Sequence, residues 1–375
     1  MEAHDMRIQT VIDCMVALAP PRLAESWDNV GLMVGNPAEP LRGVTVALDP
    51  TLEAVEAALA HGSNLLVTHH PLLFKPPRSL DLRSEPGRTV AALIRGGCAL
   101  YAAHTNLDVT AVNHALAEKL GVVPTGLMHR TGEQALYKVA VQVPEARAEA
   151  IREAVWQAGG GASERYDRSA YSWATEGTFR PLPGASPAVG EVGAQARTSE
   201  LRLEFLVSAE RLGAVRTAVL AAHPYEAPAL DVVALHGAGQ PEGFGLVGDL
   251  AAPERLEALA RRACAALGLP AVRLVGPPTR LVRRVCWLGG SGGDYWRDAL
   301  AVGADVYVTG EVRHHAALDA LAAGLSLVEV GHVGSEQPVV PWVAEHLQRA
   351  LGATVPVHAL HQIDPLRVVV PAVPG

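Results

Sequence analysis

Histidine and carboxylate side chains follow four apolar runs of the sequence, at the point where each run ends. The runs are LLVT (65–68), ALYAA (99–103), VYVT (306–309) and LVEV (327–330). The candidate site residues that follow them are His69, His70, His104, Asp108, Glu311, His332 and Glu336. In an open α/β sheet the carboxyl ends of parallel strands meet at one edge, where ligands bind. The sequence therefore predicts that these side chains converge on one polar site.

Imidazole and carboxylate groups suit a first-row divalent cation, and no thiolate occurs in this set. Five of the residues are candidate metal ligands: His69, His70, Asp108, His332 and Glu336. A single catalytic zinc usually takes three protein ligands, whereas two ions about 3.5–4 Å apart can share a carboxylate and activate a bridging water. The sequence therefore favours two divalent metal ions per subunit, with Zn, Fe, Mn, Co and Ni as candidates.

His69 and His70 are adjacent, so in a regular strand their side chains would point to opposite faces of the sheet. His70 precedes Pro71, which restricts it to extended geometry and marks the end of the strand. Because the alternation lapses beyond that end, both imidazole rings can turn towards one pocket.

Each candidate also has an ordinary structural interpretation. Two adjacent histidine pairs, 69–70 and 314–315, are close to what fifteen histidines in 375 residues give by chance. His104 and Asp108 flank Thr and Asn residues that favour turns and helix caps. Glu336 could be an acid in the first turn of a helix, with Ser335 as its cap. The repetition at four strand ends is what favours the metal interpretation.

Other polar features carry weaker signals. The glycine-rich stretch WLGGSGGDYW (287–296) lacks both the Lys-Ser/Thr pair of a P-loop and the full GxGxxG spacing. It predicts a tight strand-to-helix turn or a wall of the pocket. Five further histidines lie in helical or C-terminal strand contexts and are interpreted as structural or surface residues: His61, His114, His346, His358 and His361.

The elements around these residues alternate between buried apolar runs and amphipathic helices, from residue 41 to about 127 and again after about 243. This rhythm predicts βαβ units and mostly parallel sheets flanked by helices. Between them, two alternating strands, YKVAVQVP and LRLEFLVS, are each followed by a helix, with a polar hairpin region at 159–200. That pattern suggests a ferredoxin-like α+β unit.

The simplest organisation is a discontinuous α/β core, 1–127 and 243–375, with an inserted domain at 128–242. Two domains in plain series would instead split the α/β pattern into two incomplete sheets.

Composition bounds the class of protein. The chain is 49% hydrophobic and 5% aromatic, which suits a folded α/β protein packed by Ala, Val and Leu. A formal net charge of -8 gives no indication of a nucleic-acid partner. No run approaches about 18 apolar residues, so a membrane span is not expected.

The cysteines and the N-terminus favour a cytoplasmic protein. The four cysteines form no CxxC pair and lie in apolar contexts, as reduced thiols do: Cys14, Cys98, Cys264 and Cys286. The first fifteen residues, MEAHDMRIQTVIDCM, begin acidic and predict an amphipathic helix rather than a signal peptide.

Six motifs, in chain order, resemble the Nif-three-like family of dinuclear-metal proteins, whose members are often labelled GTP cyclohydrolase I type 2 homologues. The motifs are ESWDNVGLMVG, LLVTHHPLLF, AAHTNLD, GGSGG, DVYVTGEVRHH and GHVGSE. They cover both outer segments, about two-thirds of the chain. The inserted domain resembles PII and CutA-type modules, and HPYEAPALDVVAL (223–235) is similar to the closing segment of CutA-type proteins.

The resemblance implies metal ligation by the same five residues that the strand ends indicate. It also implies that Trp27-Asp28-Asn29, His104 and Glu311 lie near the pocket, and that the chain forms a homohexamer, a ring of trimers. TGE stands here where many relatives have TGD, which keeps the charge at Glu311 but alters its reach.

Two functions follow as expectations. The first is a divalent-metal-dependent hydrolase in which Glu311 or His104 shuttles protons as catalytic residues. The family label suggests opening of the guanine imidazole ring of GTP, and a phosphoester or another cyclic C–N substrate would suit the same centre. The alternative is a non-enzymatic metal-binding or regulatory scaffold, which the PII/CutA-like module favours.

Overall fold

The computed structural model describes residues 6–163 and 165–369. These residues form two compact units. The outer unit comprises the described residues up to Arg130 and those from Gly243 onward, and the inserted unit comprises Thr131–Glu242.

The helices and strands of the described residues alternate along most of the chain. The helices are α1 Ile8–Leu18, α2 Leu52–Ala60, α3 Gly87–Gly96, α4 Thr105–Leu107, α5 Asn113–Leu120, α6 Ala148–Gln157, α7 Ala209–Ala222, α8 Leu256–Ala266, α9 Trp296–Ala301, α10 His314–Ala322, α11 His332–Glu336 and α12 Val339–Leu351. The strands are β1 Gly31–Val34, β2 Val44–Ala47, β3 Leu65–Thr68, β4 Ala99–Ala102, β5 Pro124–Glu133, β6 Leu136–Pro144, β7 Tyr171–Phe179, β8 Ala196–Ser208, β9 Leu230–Leu235, β10 Pro241–Arg255, β11 Arg273–Val275, β12 Leu281–Leu288, β13 Val306–Thr309, β14 Ser326–Glu329 and β15 Val357–Ala359.

The outer unit contains two sheets. The first has the order β1-β4-β3-β2-β15, in which β1 is antiparallel to β4 and the other pairs are parallel. All residues of β2, β3 and β4 are buried. Burial on both faces is typical of parallel strands covered by helices, and it explains why their sequences are continuously apolar.

The second sheet has the order β11-β14-β13-β12-β10-β5, with β12, β13 and β14 parallel to one another. Each sheet takes an edge strand from the other segment of the chain. The first sheet receives β15 from the C-terminal segment, and the second receives β5 from the N-terminal segment. The two outer segments therefore form one unit.

The first helix packs into the core of the first sheet. Ile8, Val11 and Met15 are buried at helical spacing on one face of α1. The N-terminal helix expected over residues 1–15 is thus present from Ile8, and residues 1–5 lie outside the described part of the chain.

The inserted unit is a four-stranded antiparallel sheet with the order β7-β8-β6-β9 and two helices, α6 and α7. The chain order βαββαβ with this strand order is that of ferredoxin-like units. The stretch 159–200, expected to be a polar hairpin region, contains the whole of β7 and the first residues of β8. β7 and β8 pair antiparallel, as a hairpin does, although the sequence analysis named no strand in YSWATEGTF, which is mostly exposed and lacks the apolar alternation that marks a strand.

The four cysteines are free thiols, with Cys98 and Cys286 buried. Within the described residues, no helix combines the length and apolar character needed to span a membrane.

Candidate metal centre

The side chains at five strand ends meet in one cluster. Three of the strands, β2, β3 and β4, belong to the first sheet, and two, β13 and β14, belong to the second. The residues they place there are Asp49, His69, His70, His104, Glu311, His332 and Glu336. The sequence pattern placed these residues at the ends of parallel strands, and the structure shows that the strands belong to two different sheets.

The five candidate ligands form two groups that share Glu336. In one group, Nε2 of His70 and Nε2 of His332 each lie 3.1 Å from Oε2 of Glu336. In the other, Nε2 of His69 lies 3.7 Å from Oε1 of Glu336 and 3.7 Å from Oδ1 of Asp108. Each group is compact enough to hold a metal ion. One oxygen of the Glu336 carboxylate therefore faces each group.

Hydrogen bonds on the far side of the first two imidazoles fix which nitrogen faces the cluster. Nδ1 of His70 lies 2.7 Å from Oδ1 of Asp49, and Nδ1 of His69 lies 3.1 Å from the carbonyl oxygen of Ala103. Since both partners can only accept, each Nδ1 carries a hydrogen, and Nε2 is the nitrogen that is left to face a metal ion. Metal-ligating histidines are usually held in this way.

The cluster brings together atoms that need a cation between them. Nε2 of His69 and Oε2 of Glu336 are buried, and among the described residues neither makes a hydrogen bond of good geometry. Although burial opposes it, the carboxylates of Asp49 and Glu336 beside the ring raise the pKa of His70 to about 10. Burial, and then the charge of Glu336, raise the pKa of Asp108. Glu336 itself, only 4% exposed, has its pKa lowered by the surrounding imidazoles against the opposing effect of burial. The donor set fits divalent metal ions, because lone pairs converge where positive charge is favoured.

His104 lies beside this cluster and is held by Asp28. One of its ring nitrogens is within 4.8 Å of ring nitrogens of His69 and His70. Its Nδ1 lies 2.9 Å from Oδ1 of Asp28, whose carboxylate is fully buried and also accepts a hydrogen bond from the backbone nitrogen of Thr105. Burial opposes it, but these hydrogen bonds lower the pKa of Asp28. Asp28 is thus an ionised group that orients His104.

An exposed aromatic pair stands next to His104. Trp27 is 56% exposed and Phe74 is 43% exposed. Their rings stack at a centroid distance of 5.7 Å and an interplanar angle of 16°, and both meet His104 edge-on. Asn29, the third residue of the WDN motif, donates a hydrogen bond to the carbonyl oxygen of Leu73 and so ties the two segments together. Exposed rings beside a polar cluster offer a flat surface to a ligand.

Glu311 contacts His332 on the side away from Glu336. Its Oε1 lies 3.2 Å from Nδ1 of His332, and Oγ of Ser291 donates a hydrogen bond of 2.7 Å to its Oε2. Glu311 and His332 line a cleft of about 1310 Å³ that is also bounded by residues 266–273 and 359–368. The longer Glu side chain therefore reaches the cluster as a partner of His332.

The glycine-rich loop after β12 forms a wall behind Glu336. The backbone nitrogen of Gly290 donates a hydrogen bond of 2.9 Å to Oγ of Ser335. Gly290 has a φ of 65°, and a Cβ there would overlap Oε1 of Glu336. A side chain at this position would displace the shared carboxylate, which explains the glycine.

Asp49 was missed by the sequence analysis. It follows VTVA, the strand β2, at the same kind of position as the other site residues. Oε1 of Gln362 accepts hydrogen bonds of 2.7 Å from the backbone nitrogens of Leu48 and Asp49 and holds this strand end. The signal was therefore present, although an acid after a strand is too common to be distinctive by itself.

Fold and site together define an α/β protein with a histidine–carboxylate cluster suited to metal ions at the ends of its strands. The family model described as Duf34/NIF3 (NGG1p interacting factor 3) matches residues 6–365. The chain is 36% identical over 345 residues to the "GTP cyclohydrolase 1 type 2 homolog" of Halalkalibacterium halodurans, covering 92% of each chain. It is 38% identical over 358 residues to the protein of the same name from Mycobacterium tuberculosis, covering 94% of each.

A solved structure agrees with these relatives. The Bacillus cereus protein related to NIF3 superposes with a TM-score of 0.91 at 35% identity, covering 97% of this chain and all of that one. The chain belongs to the Duf34/NIF3 family, and the resemblance stated from the sequence motifs is confirmed.

Proposed function

We propose that the protein is a cytoplasmic, divalent-metal-dependent hydrolase with a dinuclear centre, similar to GTP cyclohydrolase I type 2. The observation that carries the proposal is the Glu336 carboxylate, whose two oxygens each face a separate group of metal-binding side chains. His69 and Asp108 would hold one ion, and His70 and His332 the other. The four free thiols fit a reducing compartment.

Residues near the proposed metal ions would transfer protons and position the ligands. Two divalent ions, when bound, supply Lewis acidity that lowers the pKa of water and polarises a substrate. His104, oriented by the ionised Asp28, is placed to accept and return a proton as the general acid–base group. Glu311 contacts His332, so we assign it the positioning of that imidazole, with proton transfer through Glu311 as the alternative role.

The exposed pair Trp27 and Phe74 supports a planar substrate. Bases and other flat rings stack on exposed aromatic side chains, and this pair stands beside His104. A purine ring placed there would be close to the cluster, in keeping with the GTP-related name of the relatives. A phosphoester with a flat leaving group would suit the same surface.

Turnover tests this proposal directly. Protein loaded separately with Mn, Fe, Zn or Co should release product from GTP or from at least one member of a phosphoester panel, measured by chromatography. His69→Ala should abolish the activity, because His69 faces both Glu336 and Asp108. His314→Ala, in the adjacent histidine pair that lies outside the cluster, is the matched control and should retain it. Activity that survives in His69→Ala would show that the cluster is not the active site.

A second candidate function is a metal-binding regulatory scaffold. We propose that the inserted unit is a PII/CutA-like module, supported by its ferredoxin-like strand order and by the segment HPYEAPALDVVAL that closes it. A cavity of about 370 Å³ within that unit favours a sensing role. A metal-loaded protein that is inert towards every substrate but responds to a ligand of the inserted unit would favour the scaffold.

We also propose that the chain assembles as a homohexamer, a ring of trimers. The edge strand β9 leaves Val232 and Val233 exposed, 38% and 53% respectively, which is a surface that assembly would cover. Light scattering coupled to gel filtration should give six times the mass of 39.4 kDa. A monomeric mass would rule the assembly out.

A further inference from the structure

The cavity of the inserted unit contains a buried carboxylate without a cationic partner. Glu200, on β8, is 6% exposed, and its Oε1 accepts a hydrogen bond of 2.8 Å from the hydroxyl of Tyr225. Within residues 6–163 and 165–369, no arginine, lysine or histidine forms an ion pair with it. A buried charge is costly unless a cation or several hydrogen bonds compensate it. One phenol is little compensation, so this site favours an additional positive charge.

Arg202, which lies on the same sheet face as Glu200, already has partners of its own. Residues 200, 202 and 204 of β8 share one face, opposite the face that packs against α6 and α7. Arg202 donates hydrogen bonds to Glu204 at 3.2 Å and to Asp231 at 2.9 Å, and its guanidinium lies over the ring of Trp173. Arg202 is therefore committed elsewhere, and Glu200 remains available to a ligand.

The space beside Glu200 is kept open by a glycine. A Cβ added at Gly177 would stand 3.0 Å from Oε2 of Glu200 and 2.9 Å from Oγ1 of Thr198. Oγ1 of Thr198 is itself buried. Gly177 does not have a positive φ, so its backbone conformation does not explain it. A glycine at this position leaves room next to the Glu200 carboxylate and the Thr198 hydroxyl.

The HPYE motif builds the opposite wall. The backbone nitrogen of Tyr225 donates a hydrogen bond of 3.1 Å to Nδ1 of His223, so Nε2 of that ring carries the hydrogen and donates to the carbonyl oxygen of Gln142 at 2.8 Å. His223 thus fixes Tyr225 in the position that directs its hydroxyl to Glu200. Glu226, the next residue, adds a second carboxylate to the lining and holds the backbone nitrogen of Ser186 at 3.3 Å.

The lining selects one class of ligand. It contains two carboxylates and no lysine, arginine or histidine, which disfavours phosphates and other anions. Within the part of the chain that the structure describes, every group of three or more metal-ligating side chains belongs to the histidine cluster, so a bare metal ion is disfavoured here. The remaining walls are apolar, from the Phe179 ring and from prolines and alanines of the loop 181–189, and the volume of about 370 Å³ suits a small organic molecule.

We propose that the inserted unit binds a small organic cation, with an ammonium group at Glu200 and Tyr225 and a compact apolar body against Phe179 and the loop 181–189. This site is independent of the histidine cluster and of the proposed hydrolase activity. It gives the inserted unit a ligand of its own, as a sensing module requires.

Three probes of one shape and different charge test the proposal on the full-length protein: 2-phenylethylamine, 2-phenylethanol and 3-phenylpropanoate. Saturation-transfer NMR and calorimetry should show the strongest binding for the amine, about tenfold weaker binding for the alcohol, and none for the acid, because a charge-assisted hydrogen bond to Glu200 is made only by the cation. Equal binding of the three probes, or no binding of the amine at millimolar concentration, overturns the proposal. This comparison needs no variant.

Variants then locate the site. Glu200→Gln keeps the side-chain shape and should weaken binding of the amine about tenfold, and Gly177→Val should abolish it by filling the space beside Oε2 of Glu200. Glu149→Gln removes an exposed carboxylate of the same unit and should leave the affinity unchanged. Unchanged affinity in both Glu200→Gln and Gly177→Val contradicts the proposal, as does displacement of the amine by Zn²⁺ in the His69→Ala protein.

Discussion

Each unit buries a glutamate at its candidate site, and the two glutamates are surrounded in opposite ways. Glu336 in the outer unit is 4% exposed and faces three imidazoles, whereas Glu200 in the inserted unit is 6% exposed and meets one phenol. Imidazole lone pairs and a carboxylate together suit a divalent metal ion. A carboxylate and a phenol among apolar walls suit an organic cation instead. Both sites thus contain a buried acid, and the groups around that acid decide which kind of cation the site favours.

Exchanging the shared carboxylate for an amide should have the largest effect. Glu336→Gln removes a charge that faces both groups of ligands, so we expect metal affinity to fall by more than about 100-fold at both, beyond the loss typical of an outer partner. Metal content after dialysis, measured by mass spectrometry, checks this. Glu200→Gln is the reciprocal variant, and its metal content should match that of the unmodified protein. If the Glu336→Gln protein retained two metal ions, Glu336 would not be the carboxylate that distinguishes the metal site from the Glu200 site.

The second prediction concerns Asp49, which contacts His70 and would act on a bound metal ion through that ring. Asp49→Asn keeps a hydrogen-bond acceptor but loses the charge that supports Nδ1 of His70, so metal affinity should fall about 10- to 100-fold. Competition with a chromophoric zinc chelator measures the change. Asp319→Asn alters an exposed acid outside the cluster and serves as control. An unaltered affinity in Asp49→Asn would mean that His70 needs no outer partner.

The aromatic pair provides the third prediction. If a planar substrate stacks on Trp27, Trp27→Ala should raise KM about tenfold with little change in kcat, since stacking is worth roughly 1–3 kcal/mol. Trp27→Phe should restore most of the loss. Trp173→Ala removes another exposed tryptophan, in the inserted unit, and should leave the kinetics unaltered. A fall in kcat at constant KM would instead assign Trp27 to holding His104.

The smallest expected effect is at Tyr225. Tyr225→Phe removes one hydrogen bond to Glu200 and keeps the ring, so affinity for 2-phenylethylamine should fall by only a few-fold. Calorimetry at one salt concentration measures the difference. A larger loss than in Glu200→Gln would place the phenol, rather than the carboxylate, at the centre of the site.

The histidine–carboxylate cluster was largely predictable from the sequence. A histidine or carboxylate at the end of a buried apolar run is a local pattern, and its repetition shows that distant residues share a position in the fold. His69, His70, Asp108, His332 and Glu336 were found in this way, and the structure brings them together. Asp49 followed the same rule and was missed only because a single acid after a strand carries no weight alone.

The cavity of the inserted unit was not predictable. Glu200 precedes LRLEFLVS and resembles an ordinary exposed acid at a strand end. Its burial depends on residues 181–189, on Gly177 across the sheet and on Tyr225, which are separated along the chain and follow no periodic pattern. The strand β7 was also missed, in this case because its side chains are mostly exposed and show no apolar alternation.

The sequence by itself determined the alternation of strands and helices, the presence of an insertion and the residue types of the metal cluster, because apolar periodicity and the residues at strand ends are local. Only the tertiary structure decided that two sheets share the cluster, that β15 and β5 join them across the insertion, and which oxygen of Glu336 faces which histidine. It also decided that Glu200 is buried and forms no ion pair with any residue that the structure describes. Those properties arise from contacts between distant segments, and burial and pairing become defined only when these segments pack together.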